Sequence, residues 1–176
     1  MIEFIKNITD WFIVNNSLTE LIISFISIIF VFISLLLQRK FIKKSFTPIP
    51  YFELGDYEND LFVKLCNYGT GPFIIKKFKA YNLGSTKESL IQLMPNHPEI
   101  SWCTFFEEFE NVPIAPNKFI NILELKIDNT NPTQVKFRDE VRETLRTTRI
   151  SLDYSDIFKK KWPTYTKNLK WFGRNI

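Results

Sequence analysis

Groups able to do covalent or metal chemistry are few in this chain. It has one histidine, His97, and two cysteines, Cys66 and Cys103. A lone imidazole cannot form a histidine metal site, and two thiols cannot build a cysteine-rich zinc site. His97 stands in Met94-Pro-Asn-His97-Pro98, a turn sequence, and is expected to be a loop residue rather than a general base. Cys66 lies on an alternating stretch and Cys103 in an aromatic one. Both are expected to be buried as small apolar side chains rather than to act as nucleophiles. Glu107, Glu108 and Glu110 have the donors for a cation, but interleaved with Phe105, Phe106 and Phe109 they read as a solvated loop. No phosphate-binding glycine loop, dinucleotide fingerprint, nucleophile elbow, zinc-protease motif or Cys-x-x-Cys pair occurs. No catalytic, cofactor-binding or metal residues are therefore expected, no cofactor, and no enzymatic activity.

A second kind of chemistry is association inside an apolar medium. Ser17, Glu20, Ser24, Ser27, Val31, Ser34 and Gln38 follow one another in steps of three and four. That is a heptad seam, and it is mostly small or polar, while the residues around it are Ile, Leu and Phe. In lipid, helices associate through close approach of small residues and through interhelical hydrogen bonds. Glu20, Ser24, Ser27, Val31, Ser34 and Gln38 are accordingly the expected self-association face. Several copies, with Glu20 at one end and Gln38 at the other, would enclose a narrow polar path. The competing reading is a lone anchor, in which a Ser bonds back to the carbonyl four residues earlier.

The element that must carry this seam is a membrane span. Leu21 to Gln38 is an uncharged run of 18 residues, and a spanning helix needs about 20. Leu18 and Thr19 complete it. A cleavable signal peptide has a basic stretch before its apolar run and small residues after it. Here Glu3, Lys6, Asp10 and Glu20 precede the run, and Arg39, Lys40, Lys43 and Lys44 follow it. A retained transmembrane helix over residues 17–44, with a basic cytoplasmic flank, is the expectation. The excess of Lys and Arg after the run places the N-terminus outside and the C-terminal part in the cytoplasm, as a single-pass protein of a bacterial inner membrane. The two thiols would then face a reducing compartment. Ser17-Leu-Thr-Glu20 reads as a capping box after an Asn15-Asn16 turn. Residues 1–16 form a second helical pattern, with Met1, Phe4, Ile5, Ile8, Trp11 and Phe12 on one face and Glu3, Lys6, Asn7 and Asp10 on the other. That pattern suits an interfacial amphipathic helix with Trp11 at headgroup level.

Residues 45–51, with Phe46-Thr-Pro48-Ile-Pro50, read as a stiff linker. Residues 52–176 read as a cytoplasmic domain. The chain is 45% hydrophobic and 16% aromatic, enough to fill a core and to exclude global disorder. Asp60–Asn67 alternates with Leu61, Val63 and Leu65 inward. Phe73–Tyr81 places Ile74, Phe78 and Ala80 on one face. Ile100–Phe106, Phe119–Ile127 (Phe119, Asn121, Leu123, Leu125 and Ile127 together) and Arg149–Tyr154 follow, with turns at Tyr68–Pro72 and Pro113–Asn117. An aromatic segment, Trp162–Phe172, ends the series. Short alternating runs between turns argue for an antiparallel sandwich, and no strand–helix–strand alternation suggests a doubly wound nucleotide-binding sheet. One helix interrupts the strands: Asn131-Pro132 supplies a cap and first residue, and Phe137, Val141 and Leu145 recur at four-residue spacing. Arg138, Asp139, Arg142, Glu143 and Arg146 lie elsewhere on it.

Charge is uneven. Residues 45–156 carry a net −4, whereas residues 157–176 carry six basic groups and no acidic one. Three readings stand side by side. Lysines on a final edge strand deter sheet-to-sheet pairing. Arg39, Lys40, Lys43, Lys44, Lys159, Lys160, Lys161 and Trp162 suit contact with an anionic membrane surface. Nucleic acid is recognised by the same residue types, though it is not an expected partner. The expected partners are the lipid bilayer, further copies of the chain through the transmembrane helix, and a cytoplasmic protein or small-molecule ligand.

Asn67-Tyr-Gly69-Thr-Gly71-Pro72, entered from an alternating strand and followed by Phe-Ile-Ile, resembles the Asn-x-Gly-x-Gly-Pro turn of uncharacterised bacterial single-pass membrane proteins. Those proteins place a cytoplasmic immunoglobulin-like β-sandwich behind an N-terminal span. Ile150-Ser-Leu-Asp-Tyr154-Ser-Asp156-Ile-Phe158 resembles their strand ending in a Tyr-x-Asp turn. Members usually carry Gly after that aromatic, where this chain has Lys159. The resemblance implies a mainly β fold: a transmembrane helix, then an immunoglobulin-like antiparallel sandwich with one short helix. Some members sit near anti-phage systems, which implies a membrane-anchored sensor or effector in defence; the alternative is a passive scaffold that recruits a cytoplasmic partner. Physically, Asn67, Gly69, Gly71 and Pro72 are expected to be a structural turn, the glycines supplying positive φ and the Asn67 amide holding the loop.

Overall fold

The computed structural model describes residues 2–14 and 16–175. The chain divides into two compact units, Met1–Lys44 and Ser45–Ile176. The first is helical. Helix α1 spans Ile2–Val14 and exposes Phe4, Ile5, Ile8 and Trp11; Met1 and the side chain of Phe12 lie outside the described residues. Helix α2 spans Asn16–Ser45, about 45 Å at 1.5 Å per residue. Its most apolar window has a mean hydropathy of 2.7 and buries none of its surface against the protein. A helix of this length and composition is able to cross a membrane, whose hydrocarbon layer is about 30 Å thick. Because α2 already begins at Asn16, Ser17 lies within its first turn and not at a cap, which corrects the expected capping box. Asn15 lies outside the described residues.

The second unit is an antiparallel sandwich, so the chain is mainly β with one short helix besides the apolar one. The strands are β1 (Pro50–Asp56), β2 (Asp60–Asn67), β3 (Phe73–Asn82), β4 (Ser85–Lys87), β5 (Thr104–Phe105), β6 (Pro113–Ile114), β7 (Phe119–Lys126), β8 (Arg149–Asp156) and β9 (Tyr165–Asn168). One sheet has the order β1-β2-β7-β5; the other runs β4-β3-β8-β9, with β6 also on β3. Phe52, Leu61, Val63, Leu65, Leu123 and Leu125 meet Phe73, Ile75, Phe78, Ala80, Ile150 and Leu152 between the sheets. Phe52 is fully buried, sits edge-on to Phe78 at 6.4 Å and stacks on Tyr165 at 5.3 Å, so it bridges both sheets. Strand β1 begins inside the expected linker, where Pro50 pairs with Asn67.

Two bulges alter the expected inward faces. In β7, Val63 pairs with Leu123 and the next pair is Lys64 with Asn121, leaving Ile122 as an extra residue. An extra residue reverses the two-residue alternation. Ile122 is therefore buried, while Phe119 is turned to solvent rather than joining Leu123 and Leu125. In β3 the extra residue is Lys76, so Phe73 and Ile75 share the core with Phe78 and Ala80, and Ile74 does not. The expected strand at 100–106 shrinks to Thr104–Phe105. Cys103 is exposed there, against the expectation that it is buried; its strand pairs with β7 over only two residues, too few to cover both of its faces.

Helix α3 (Pro132–Arg146) closes the sandwich end formed by the β1–β2 hairpin and the β3–β4 hairpin. Asn131 caps it as expected, accepting from Thr133 N at 3.0 Å and Gln134 N at 3.4 Å, and Phe137, Val141 and Leu145 are buried. Arg142 departs from its expected place on the polar face. It is buried, and its Nε and Nη2 donate to Asp56 Oδ1 at 2.9 and 2.6 Å, while Nη1 reaches Asp139 at 3.0 Å. Removing one member of a buried pair strands the other charge, at about 3–5 kcal/mol. Asp56→Ala is expected to lower unfolding stability by roughly 3 kcal/mol in urea titration of the detergent-solubilised chain; a change within 0.5 kcal/mol, the usual range for a surface substitution, would show that the pair does not hold α3.

Candidate functional site

The seam residues Glu20, Ser24, Ser27, Val31, Ser34 and Gln38 all lie on α2 and are exposed. At 100° per residue they fall within about a quarter of the helix circumference, so the helix presents one small, polar stripe on an apolar rod. Ser27 Oγ donates to the Ile23 carbonyl at 2.8 Å, the back-bond available to a serine in a lone helix. Arg39, Lys40, Lys43 and Lys44 occupy the last turns of α2.

A dense polar construction lies in the domain, at the end opposite α3. Asn67 is fully buried and uses all of its amide. Its Nδ2 donates to Gly71 O at 2.9 Å and Ile114 O at 3.0 Å, and its Oδ1 accepts from Gly69 N at 3.0 Å and Ile49 N at 3.3 Å. Its own backbone is bonded to Lys118 O and Asn117 N. One side chain thus ties together the β2–β3 turn, the β6–β7 turn and the segment that leads into β1. That segment, Ser45–Ile49, is a strap and not a free linker. Tyr68 N donates to Ile49 O, Thr70 N and Gly71 N donate to Thr47 O, and Thr70 Oγ1 donates to Ser45 O.

The glycines of the turn serve this strap. Neither has the expected positive φ; Gly84 is the glycine in that region among the described residues. A Cβ on Gly69 would come within 2.3 Å of Thr47 O, and one on Gly71 within 2.5 Å of Phe46 O. Close backbone approach, not left-handed geometry, requires glycine at both places. Pro72, without an N–H, leads from the turn into β3.

A third loop completes this end. Asp156 is buried, and its Oδ1 accepts from Phe158 N and Lys160 N, both at 2.9 Å. It folds residues 156–160 into a tight turn that exposes Lys159, Lys160 and Lys161. Phe158 meets Phe46 of the strap edge-on at 6.3 Å. Lys159 adopts φ +64, a left-handed conformation that favours glycine. Trp162 is half-buried against the core with Lys160 Nζ 4.0 Å above its ring, so it is less available to a membrane surface than expected. The rest of the basic segment is distributed elsewhere. β9 with Lys167 is an edge strand, and Lys170–Asn175 forms a 3-10 turn that packs on α3.

The candidate chemical groups are not brought together. Cys66 is buried, and burial, followed by the hydrogen bond to Glu53, pushes its thiol up to about 11. Glu107, Glu108 and Glu110 are solvent-exposed along an open groove of about 680 Å³ with Lys76, Lys77 and Glu88. His97 lies beside Phe137 at 5.7 Å, and its Nδ1 accepts from Glu99 N at 3.2 Å, which is a turn arrangement. Arg142, Asp56 and the strap are features that the sequence reading missed; the strap's signal was the pairing of Asn67 with two glycines.

Comparison of the chain with protein-family profiles, with characterised proteins and with solved structures gave no match.

Two outcomes follow from this geometry. Asn67→Ala, by leaving buried partners unsatisfied, is expected to cost about 3 kcal/mol and to speed hydrogen exchange at the Ile49 and Gly69 amides; unchanged exchange there would show that the strap is held by other means. Lys159→Gly is expected to raise stability by about 1 kcal/mol through relief of the left-handed residue, as read by the thermal midpoint.

Proposed function

We propose that this chain is a membrane-anchored, self-associating sensor or effector that binds rather than catalyses. In this reading α2 crosses the membrane once, with the N-terminus outside and the sandwich in the cytoplasm, where it binds a partner protein or small ligand. The observation that carries it is the stripe of α2: a rod otherwise covered by Ile, Leu and Phe aligns Glu20, Ser24, Ser27, Ser34 and Gln38 on one side. Small polar residues in line permit close packing and interhelical hydrogen bonds worth about 0.6–2 kcal/mol each. The charge step from Glu20 to Arg39–Lys44 supports the orientation. A defence-type role that perturbs the membrane is one version of this reading. The passive scaffold is the second, and the Ser27 back-bond to Ile23 favours it, because that hydroxyl is satisfied without a partner helix.

Cross-linking of the full chain in native membranes separates the two. The wild type is expected to give oligomers, and Ser27→Leu with Ser34→Leu to weaken association by about tenfold or more. A depolarisation seen with a potential-sensitive dye and lost in the same double variant would identify the effector. A wild type that stays monomeric would leave the scaffold.

A further inference from the structure

We propose that the strap end of the sandwich is itself a docking surface for an anionic lipid bilayer, a reading that rests on the membrane-anchored function above. The first argument is where exposed apolar side chains fall. Among the described residues from Ser45 onward ten large hydrophobics are exposed, and seven belong to segments at this end. The strap supplies Phe46 and Ile49, and the 156–160 turn supplies Ile157 and Phe158. Tyr68 stands on the Asn67 turn, with Tyr51 5.7 Å from it, and Phe119 lies in the row of the sheet that holds Tyr51 and Cys66. The remaining three, Tyr57, Leu83 and Phe105, are scattered. Aromatic and apolar tips on hydrogen-bonded turns and strand ends suit the headgroup layer.

The second argument is charge. Lys118, Lys159, Lys160 and Lys161 are exposed around these tips, on a domain whose residues 45–156 are net acidic. Two acids at this end are drawn into the fold. Asp156 is buried as the cap of its own turn, and Glu53 is half-buried, bonded by Cys66 Sγ and Tyr68 OH. The turn also keeps a lysine, Lys159, at a left-handed position that glycine would occupy with less strain. Lysines mixed with apolar tips match an anionic leaflet, whose surface attracts cations while its boundary accepts the rings. The third argument is covalent. Ser45, whose carbonyl accepts from Thr70 Oγ1 of this end, directly follows the basic run Arg39–Lys44 in the chain.

The test uses the full-length chain with Cys103→Ser and a single environment-sensitive fluorophore, either at Phe158→Cys or, as the control at the opposite end, at Leu83→Cys. Each is reconstituted in vesicles of phosphatidylcholine alone and in vesicles containing phosphatidylglycerol. In the anionic vesicles the probe at 158 is expected to shift to the blue and to be quenched several-fold more by nitroxide lipid than the probe at 83. Lys159→Glu, Lys160→Glu and Lys161→Glu together are expected to remove that difference. Equal, water-like emission at 158 and 83 in anionic vesicles would overturn the proposal, as would burial of 158 only after a cytoplasmic protein fraction is added. Retention after an alkaline wash is measured separately. A chain retained with 158 in water keeps the anchor and overturns the docking; a chain washed off with 158 in lipid before the wash keeps the docking and overturns the anchor.

Discussion

One buried amide holds the strap end of the sandwich together. Asn67 spends both donors and both acceptor positions on the backbone of three separate segments, and no solvent reaches it. A buried polar group is costly unless every hydrogen bond it can make is made, so this arrangement tolerates little displacement of any segment. The two glycines follow from it. The strap runs so close over the turn that a methyl group at 69 or 71 would collide with its backbone. What reads in the sequence as a proline-spaced linker is thereby turned into part of the domain.

The same end carries the strap that follows α2 in sequence, the lysine turn capped by Asp156, and the exposed rings of Phe46 and Phe158. The opposite end is built differently. There α3 lies over the core, and the Arg142–Asp56 pair closes it in a buried and specific geometry. The domain therefore has an ion-paired end under α3 and a basic, apolar-tipped end, and its sheets connect the two. An apolar rod with a polar stripe, α2, adds a second surface that the protein itself does not cover.

Much of this was legible in the sequence because it rests on local rules. An uncharged run of 18 residues with lysines behind it reads as one long apolar helix, since charge and hydropathy need no tertiary context. The two-residue alternation located β2 and most of β3, β7 and β8, and Asn131-Pro132 located the start of α3. Asn67 was recognised as a loop-holding residue from its place before Gly69 and Gly71. Where the reading went astray, one extra residue or one distant partner was responsible. The bulges at Lys76 and Ile122 reverse the alternation, and a bulge is set by the neighbouring strand's hydrogen bonds.

By itself, then, the sequence determined the apolar helix, its polar stripe, its basic flank and the antiparallel β character of the rest, all through periodicity and charge along the chain. Only the tertiary structure decided that Arg142 turns inward to Asp56, that Cys103 is exposed, that Gly69 and Gly71 serve a close approach, and that Phe46 comes to lie on Phe158. Each of these depends on the contacts, made or missing, between segments far apart in sequence, and such contacts exist only once the sheets have packed.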